Sequence, residues 1–325
     1  SSISHVDTLL SKIGEGSIIH DRAIDLYLKL AERSSQIGYG KGQGLSLAKA
    51  GEMLLGKTSF DSAKLILIRA ESILKTENEI YEASRVDFNL AVTYYSIGQF
   101  DLAAKTVIDD LELIKEINGG QYNTLLRTVG EIHRGANNLE AAARYLKIAV
   151  EHSEETNSTD ALAYNLNRLG VVYYQDSKHD LAKENLEKSL KISQEINLDR
   201  AITMNLNDMG ELYLTLKDYE RCIELYEIAL EREMETGDRT NTYNNVARLN
   251  WELKNYQAAV DYANKALQLA KERKTYPHIV DAEKILADSY RDMSNFKKAT
   301  EFYVAYNSSR DSLFNLEVQG QLAEV

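Results

Sequence analysis

From Ala163 to Ile196 the chain reads AYNLNRLGVVYYQDSKHDLAKENLEKSLKISQEI, and its apolar residues fall at helical intervals. Leu166, Leu169, Val172 and Tyr173 make one stripe, Leu181, Leu186 and Leu190 a second, and the polar run 175–180 parts them. Residues three and four apart share one side of a helix, so the pattern predicts two helices, each apolar along one side, joined antiparallel by a tight turn.

The same pattern recurs along nearly the whole chain. With the small residue Gly170 as the point of register, its equivalents are Ser11, Gly51, Ala91, Gly130, Gly210, Ala247 and Ala287, spaced 37 to 40 residues apart. Twelve residues after each comes a second small residue: Ala23, Ala63, Ala103, Ala142, Ala182, Cys222, Ala259 and Ala299. Small residues in register let paired helices approach closely. Between them stand bulky residues, such as Tyr94, His133, Tyr173, Tyr213 and Tyr290 on the first helix and Phe60, Phe100, Tyr219, Tyr256 and Phe296 at the start of the second.

Leu169-Gly170, Tyr173, Ala182, Leu186 and Ser189, followed one unit on by Met209-Gly210, Tyr213, Cys222, Tyr226 and Ala229, resemble the tetratricopeptide repeat. The family's usual period is about 34 and its second helix usually ends near a proline. Here the period is longer and that proline is missing, as in the long-repeat branch that includes kinesin light chain. The resemblance implies an all-α, right-handed superhelical solenoid of about eight helical hairpins over residues 1–308. Units are expected at about 4–43, 44–83, 84–122, 123–162, 163–202, 203–239, 240–279 and 280–308, with a capping or exit helix over 309–325. Pro277, the sole proline, falls between units, where it can start a helix without breaking one.

Composition narrows the function classes. A chain that is 44% hydrophobic and 27% charged, with one proline, can bury a core and is not a disordered type. No run of 18 uncharged apolar residues exists, and even 65–73 contains Arg69 and Glu71, so no membrane contact by this segment is expected. A formal charge of −12 opposes a polyanion, which argues against nucleic acid as a direct partner. The chain opens on Ser1 and shows no signal peptide, which fits a mature or trimmed segment, and the single cysteine fits either a reducing compartment or a cysteine-poor exported protein.

No catalytic, metal or cofactor constellation emerges. The glycines of IGYGKGQG, residues 37–44, lack a preceding strand and the spacing of a phosphate loop, and they read as an inter-repeat turn. The six histidines do not cluster; His133, His20 and His179 take structural positions of the repeat. Cys222 occupies an alanine position and reads as a buried, inert thiol.

Once the core positions are subtracted, one face remains. The resemblance implies that residues three before, one after and four after each small first-helix residue line the inner face of the array. The ligand groove expected on this basis comprises Phe88, Tyr95, Arg127, Glu131, Arg134, Asn167, Tyr174, Asn207, Glu211, Asn244, Arg248, Trp251, Lys284 and Arg291, with Val92, Val171, Leu214 and Asp288 beside them. Asn167, Asn207 and Asn244 repeat in one position, although asparagine is a poor helix former by up to about 0.7 kcal/mol. A carboxamide can pair with both groups of a peptide unit, and the ladder resembles those by which kinesin light chain and bacterial peptide-pheromone receptors hold peptides. Basic residues of the inner set outnumber acidic ones by five to three. On this reading Asn207→Ala leaves the melting temperature nearly unchanged and weakens ligand binding. The alternative is a face that is solvated or packs between neighbouring first helices.

The string Asp311 to Asn315 resembles the segment that leads out of tetratricopeptide arrays in bacterial sensor histidine kinases and membrane-linked helix-turn-helix regulators. It implies a non-catalytic sensory domain binding a peptide or protein segment, periplasmic and membrane-tethered in a longer protein. A free-standing, cytoplasmic assembly scaffold or chaperone-like adaptor stays open, as does an enzyme if titrating groups converge in a pocket. Ligand identity and oligomeric state are not legible.

Overall fold

The computed structural model describes residues 2–15, 20–57, 59–236, 239–273 and 275–322, with side chains over 3–10, 22–57, 59–232, 239–273 and 275–311. Among them stand sixteen α-helices and no strand. In chain order these are α1 Ser2–Glu15, α2 His20–Gln36, α3 Gly40–Gly56, α4 Phe60–Thr76, α5 Ile80–Ser96, α6 Phe100–Ile117, α7 Gly119–Gly135 and α8 Leu139–Glu155. Then follow α9 Thr159–Gln175, α10 His179–Glu195, α11 Asp199–Thr215, α12 Tyr219–Thr236, α13 Thr240–Glu252, α14 Tyr256–Arg273, α15 Tyr276–Asp292 and α16 Phe296–Leu322. The chain divides into two compact units, residues 1–145 with 317–325, and residues 146–316.

Within the first unit, successive helices from α2 to α7 pack one on the next, and α3, α5 and α7 lie side by side. The second unit repeats the scheme, with α9, α11, α13 and α15 as its row of first helices. Each hairpin is closed by its small residue. A Cβ added to Gly170 would sit 2.8 Å from Leu186 Cγ, and one added to Gly51 would sit 2.6 Å from Leu67 Cγ. Both leucines are fully buried, each worth about 1.5–3 kcal/mol of apolar burial. The small residue thus exists to let a large one from the second helix reach the first.

Turns are equally stereotyped. After α9, Ser177 takes φ of 57° and the amide of Lys178 donates to the carbonyl of Tyr173 at 2.8 Å. After α10, Asn197 takes φ of 54° and the amide of Leu198 donates to the carbonyl of Ser193 at 2.9 Å. This left-handed closure satisfies carbonyls that a helix end leaves open, which is why asparagine and glycine recur there.

Three sequence expectations need adjustment. First, of 37–44 only the stretch before Gly40 is a turn, with Gly38 at φ of 70°. Gly42 and Gly44 are buried inside α3, where a Cβ on Gly44 would lie 2.6 Å from Leu74 Cγ, so they serve close helix packing. Second, α9 and α11 begin at Thr159 and Asp199, ahead of the boundaries drawn at 163 and 203, because the apolar register is set by helix interiors and says little about ends. Third, α16 runs through 308 and 309 without a break. The side chains of Leu313, Phe314, Asn315, Leu316 and Leu322, like those of Ser11 and His20, lie outside the described residues. The single short interval of 37 has a simple cause: α13 has 13 residues where α9 and α11 have 17, having lost its first turn. Pro277 stands in the first turn of α15, as its fixed φ favours.

Candidate functional site

In the second unit the three asparagines of the expected ladder do not face an open groove. Asn167, Asn207 and Asn244 are 0%, 2% and 1% exposed. Asn207 Nδ2 donates to the Thr203 carbonyl at 3.1 Å and to Thr242 Oγ1 at 2.8 Å, while Asn245 Nδ2 donates to Asn207 Oδ1 at 3.0 Å. Asn167 Nδ2 donates to Asn205 Oδ1 at 3.1 Å and Asp208 Oδ2 at 2.7 Å, and Asn244 Nδ2 to the His278 carbonyl at 3.1 Å. Each asparagine joins its own first helix to the next one. The ladder is real, but it runs between repeats, and a buried carboxamide already engaged by its neighbours has no donor to offer a peptide.

Of the remaining second-unit positions, Tyr174, Arg248 and Trp251 are spent on neighbouring first helices, and Lys284 and Arg291 on Asp288 of their own helix. Tyr174 Oη lies 3.0 Å from Thr215 Oγ1, Arg248 pairs with Glu211, and Trp251 Nε1 donates to Asp292 Oδ2 at 3.0 Å. Lys284 Nζ lies 2.7 Å from Asp288 Oδ2 and Arg291 Nη1 lies 2.9 Å from Asp288 Oδ1. With Asp208 and Asp292 brought in beside Glu211 and Asp288, three basic side chains meet four acidic ones. The expected excess of positive charge therefore does not hold for this face, because the pattern used to select its residues skipped their partners.

The first unit is built differently. Its row α3, α5 and α7 encloses cavities of about 150, 310 and 190 Å³. The first lies among Leu10, Leu45, Lys49, Glu52, Arg85 and Asn89; the second, sharing Glu52, Arg85 and Asn89, adds Phe88, Gln121 and Thr124. Farther along α5 the third is walled by Val92, Tyr95, Arg127, Thr128, Glu131 and Ile132. The structure thus places the expected Phe88, Tyr95, Arg127 and Glu131 at cavities, with Arg134 beside them holding Glu131 at 2.9 Å. Tyr95 is steadied edge-on against Phe100, ring centres 5.5 Å apart.

Asn89 was not singled out by the sequence pattern. Its half-buried carboxamide borders two cavities and has no hydrogen-bond partner among the described residues, whereas Gln121 Nε2 donates to Ser84 Oγ at 3.1 Å. Asn89, Lys49 and Thr128 stand two residues before the small first-helix residue, one step from the position searched. A scan of that neighbouring position would have found them.

Behind this face lies a second feature that the repeat itself could have flagged. Leu47, Leu126, Leu166 and Leu206 share one position of the first helix, and in the third repeat that position is Asp87. Ala70, Ala149, Ser189 and Ala229 share one position of the second helix, and there the third repeat has Asp110. Both carboxyls are buried, 1% and 8% exposed. Lys75 Nζ sits 3.0 Å from Asp87 Oδ2 and 2.6 Å from Glu71 Oε1. Burial, with the charges of Glu71 and Asp110, pushes Asp87 far above the ordinary carboxylate range despite Lys75. Burial likewise raises Asp110, against hydrogen bonds with Ser84 and Asp87.

Other candidates take structural places. His133 stacks on Tyr145 with ring centres 5.5 Å apart, and burial, then Arg144, lowers its pKa. His179 opens α10 with its ring 6.4 Å from Tyr174. Burial pushes the Cys222 thiol up to about 12. Among the described residues no three His, Cys, Asp or Glu side chains are arranged to hold a metal, and no helix is long and apolar enough to cross a membrane.

Residues 121–195, 159–232 and 199–272 each match the family model described as tetratricopeptide repeat. No curated protein sequence matches the chain. Among solved structures, the apo form of RapI is 16% identical, covers 89% of this chain and 83% of its own, and superposes with a TM-score of 0.69. The apo form of the quorum sensor NprR from B. thuringiensis is 15% identical with the same coverage and TM-score. The Rap conjugation gene regulator of plasmid pLS20, in complex with a Phr peptide, is 15% identical, covers 87% and 78%, and has a TM-score of 0.65. The shared feature is the all-α stack of helical hairpins, and residues 121–272 of this chain belong to the tetratricopeptide-repeat family.

Proposed function

We propose that the chain is a non-catalytic binding module that holds an extended peptide or protein segment along α3, α5 and α7 of its first unit. The observation that carries this reading is the row of cavities on that face, with Asn89 presenting an unengaged carboxamide between two of them. Asn89 can donate to and accept from a passing peptide unit, irrespective of sequence. The cavity under Val92, Tyr95 and Ile132 is mostly apolar and suits a hydrophobic side chain. Lys49 with Glu52, and Arg85 with Glu82, are closed ion pairs that leave this stretch near neutral, so the groove selects by shape and backbone more than by net charge. A regulator of similar fold that carries a peptide in its solved structure supports the ligand class.

A sensory role within a signalling protein follows from the Asp311-to-Asn315 string. Binding then signals by favouring one packing of neighbouring first helices over another, since a ligand shifts only equilibria whose states it binds unequally.

The test uses a random dodecapeptide display library, with selected peptides measured by calorimetry. Asn89→Ala and Thr124→Ala should each weaken binding by about 0.5–1.5 kcal/mol, a few-fold in Kd, with the unfolding midpoint unchanged. Peptides that bind both variants as tightly as the parent, and protect α9 to α15 from hydrogen exchange instead, would overturn the assignment. Selection of folded partners alone would favour the assembly scaffold.

A further inference from the structure

The third repeat places two acids where the second, fourth, fifth and sixth repeats place leucine and a small residue, directly behind the cavity-bearing face. Such a breach of a local rule needs a reason. Asp87 on α5 and Asp110 on α6 are buried, and Glu71 and Lys75 on α4 meet them from the solvent side. Fully ionised, it would set three carboxylates against one ammonium, which burial makes unfavourable, and a single proton shared by the aspartates relieves this. The charged groups acting on the pair come from α4 and α6; from α5 Ser84 adds a hydrogen bond, and from α7 Gln121 reaches it through Ser84. No charged group of α3 acts on it among the described residues.

The cluster is wired to the groove. Gln121 borders the 310 Å³ cavity and donates to Ser84 Oγ, and Phe88 and Asn89 at that cavity follow Asp87 directly on α5. A movement that carries α5 away from both α6 and α7 widens the groove and wets the aspartates together.

We propose that the groove of the first unit opens with release of one proton from the Asp87–Asp110 pair, making its opening, and hence access by a peptide, a function of pH. In the closed state the proton is a carboxylic O–H on one of the two aspartates; on opening that O–H bond breaks, the proton passes to water, and two hydrated carboxylates remain. The sign follows from linkage. The closed-state affinity for the proton is raised to about 8, while the opened, wetted aspartates have ordinary values near 4. Closure is therefore favoured fully below about pH 4 and progressively less as pH rises to about 8. Each pH unit in that window multiplies the opening constant by up to about tenfold.

The inference rests on the groove reading for its consequence, but its test needs no ligand, so the two fail separately. Hydrogen exchange of the whole chain is followed by mass spectrometry from pH 6 to pH 8, after correction for intrinsic exchange chemistry. The expected result is loss of protection in α5, α6 and α7 by about tenfold per pH unit, with α9 to α14 unchanged. The double variant Asp87→Leu with Asp110→Ala, which installs the residues of the second and fourth repeats, should abolish this slope. Asp87→Asn with Asp110→Asn provides a second, isosteric pair and should abolish it too. A pH-independent parent, or a slope retained in either folded double variant, would overturn the proposal.

Discussion

At the scale of single residues, the contrast between Asn207 and Asn89 carries the main lesson. Both are asparagines on first helices, and only burial distinguishes their roles. Asn207 closes two hydrogen bonds between α11 and α13, so Asn207→Ala strands Thr242 and Asn245 in the core. It should cost about 1–3 kcal/mol in urea unfolding, far more than the helix propensity gained. This reverses the expectation drawn from sequence. Asn89→Ala should be neutral in the same measurement. Cys222, whose thiol burial pushes up to about 12, should resist thiol reagents at pH 8 until the protein unfolds. Stoichiometric labelling of native protein would show the thiol to be accessible after all.

For the helices as elements, the small residues decide stability through their partners. Gly210 sits under the buried ring of Tyr226, which a Cβ would strike, so Gly210→Ala should destabilise by about 1–3 kcal/mol through overpacking. Gly56, at the exposed end of α3, has open space around its missing Cβ. There the propensity term stands alone, and Gly56→Ala should stabilise by about 0.5–1 kcal/mol. Thermal or urea melts of the two variants should therefore move in opposite directions, and equal shifts would mean that packing does not set the sign. The helix count, the hairpin pairing and the small residue's purpose were legible because they repeat. The lost first turn of α13 was visible only as a spacing of 37, and spacing alone does not say which helix is short.

Across the whole molecule, charge and repetition act together. The chain carries a formal −12 at neutral pH with a sequence pI of about 5.1, so mutual repulsion between molecules vanishes near pH 5. Light scattering of concentrated samples should peak there and fall again at pH 6 and above. Because repeat proteins sum local terms between neighbours, a proton taken up at the third repeat should alter protection mainly nearby. Association of molecules and opening of a groove thus respond to pH in different ranges and are separable.

Periodicity by itself determined the class of fold, the pairing of helices and the row of first-helix positions that face a common side, because each depends on which residues must be hidden and recurs at a fixed interval. The family resemblance, laid over that period, picked out Phe88, Tyr95, Arg127 and Glu131, which border cavities. What periodicity did not determine was which polar residues of that row meet solvent and which meet the next helix. That is settled by the distance and rotation between successive hairpins, set by side chains dozens of residues away: Thr242 and Asn245 for Asn207, Asp292 for Trp251, Glu211 for Arg248. Only the tertiary structure sets those side chains face to face, closing the row in one unit while leaving Asn89 open above a buried pair of acids in the other.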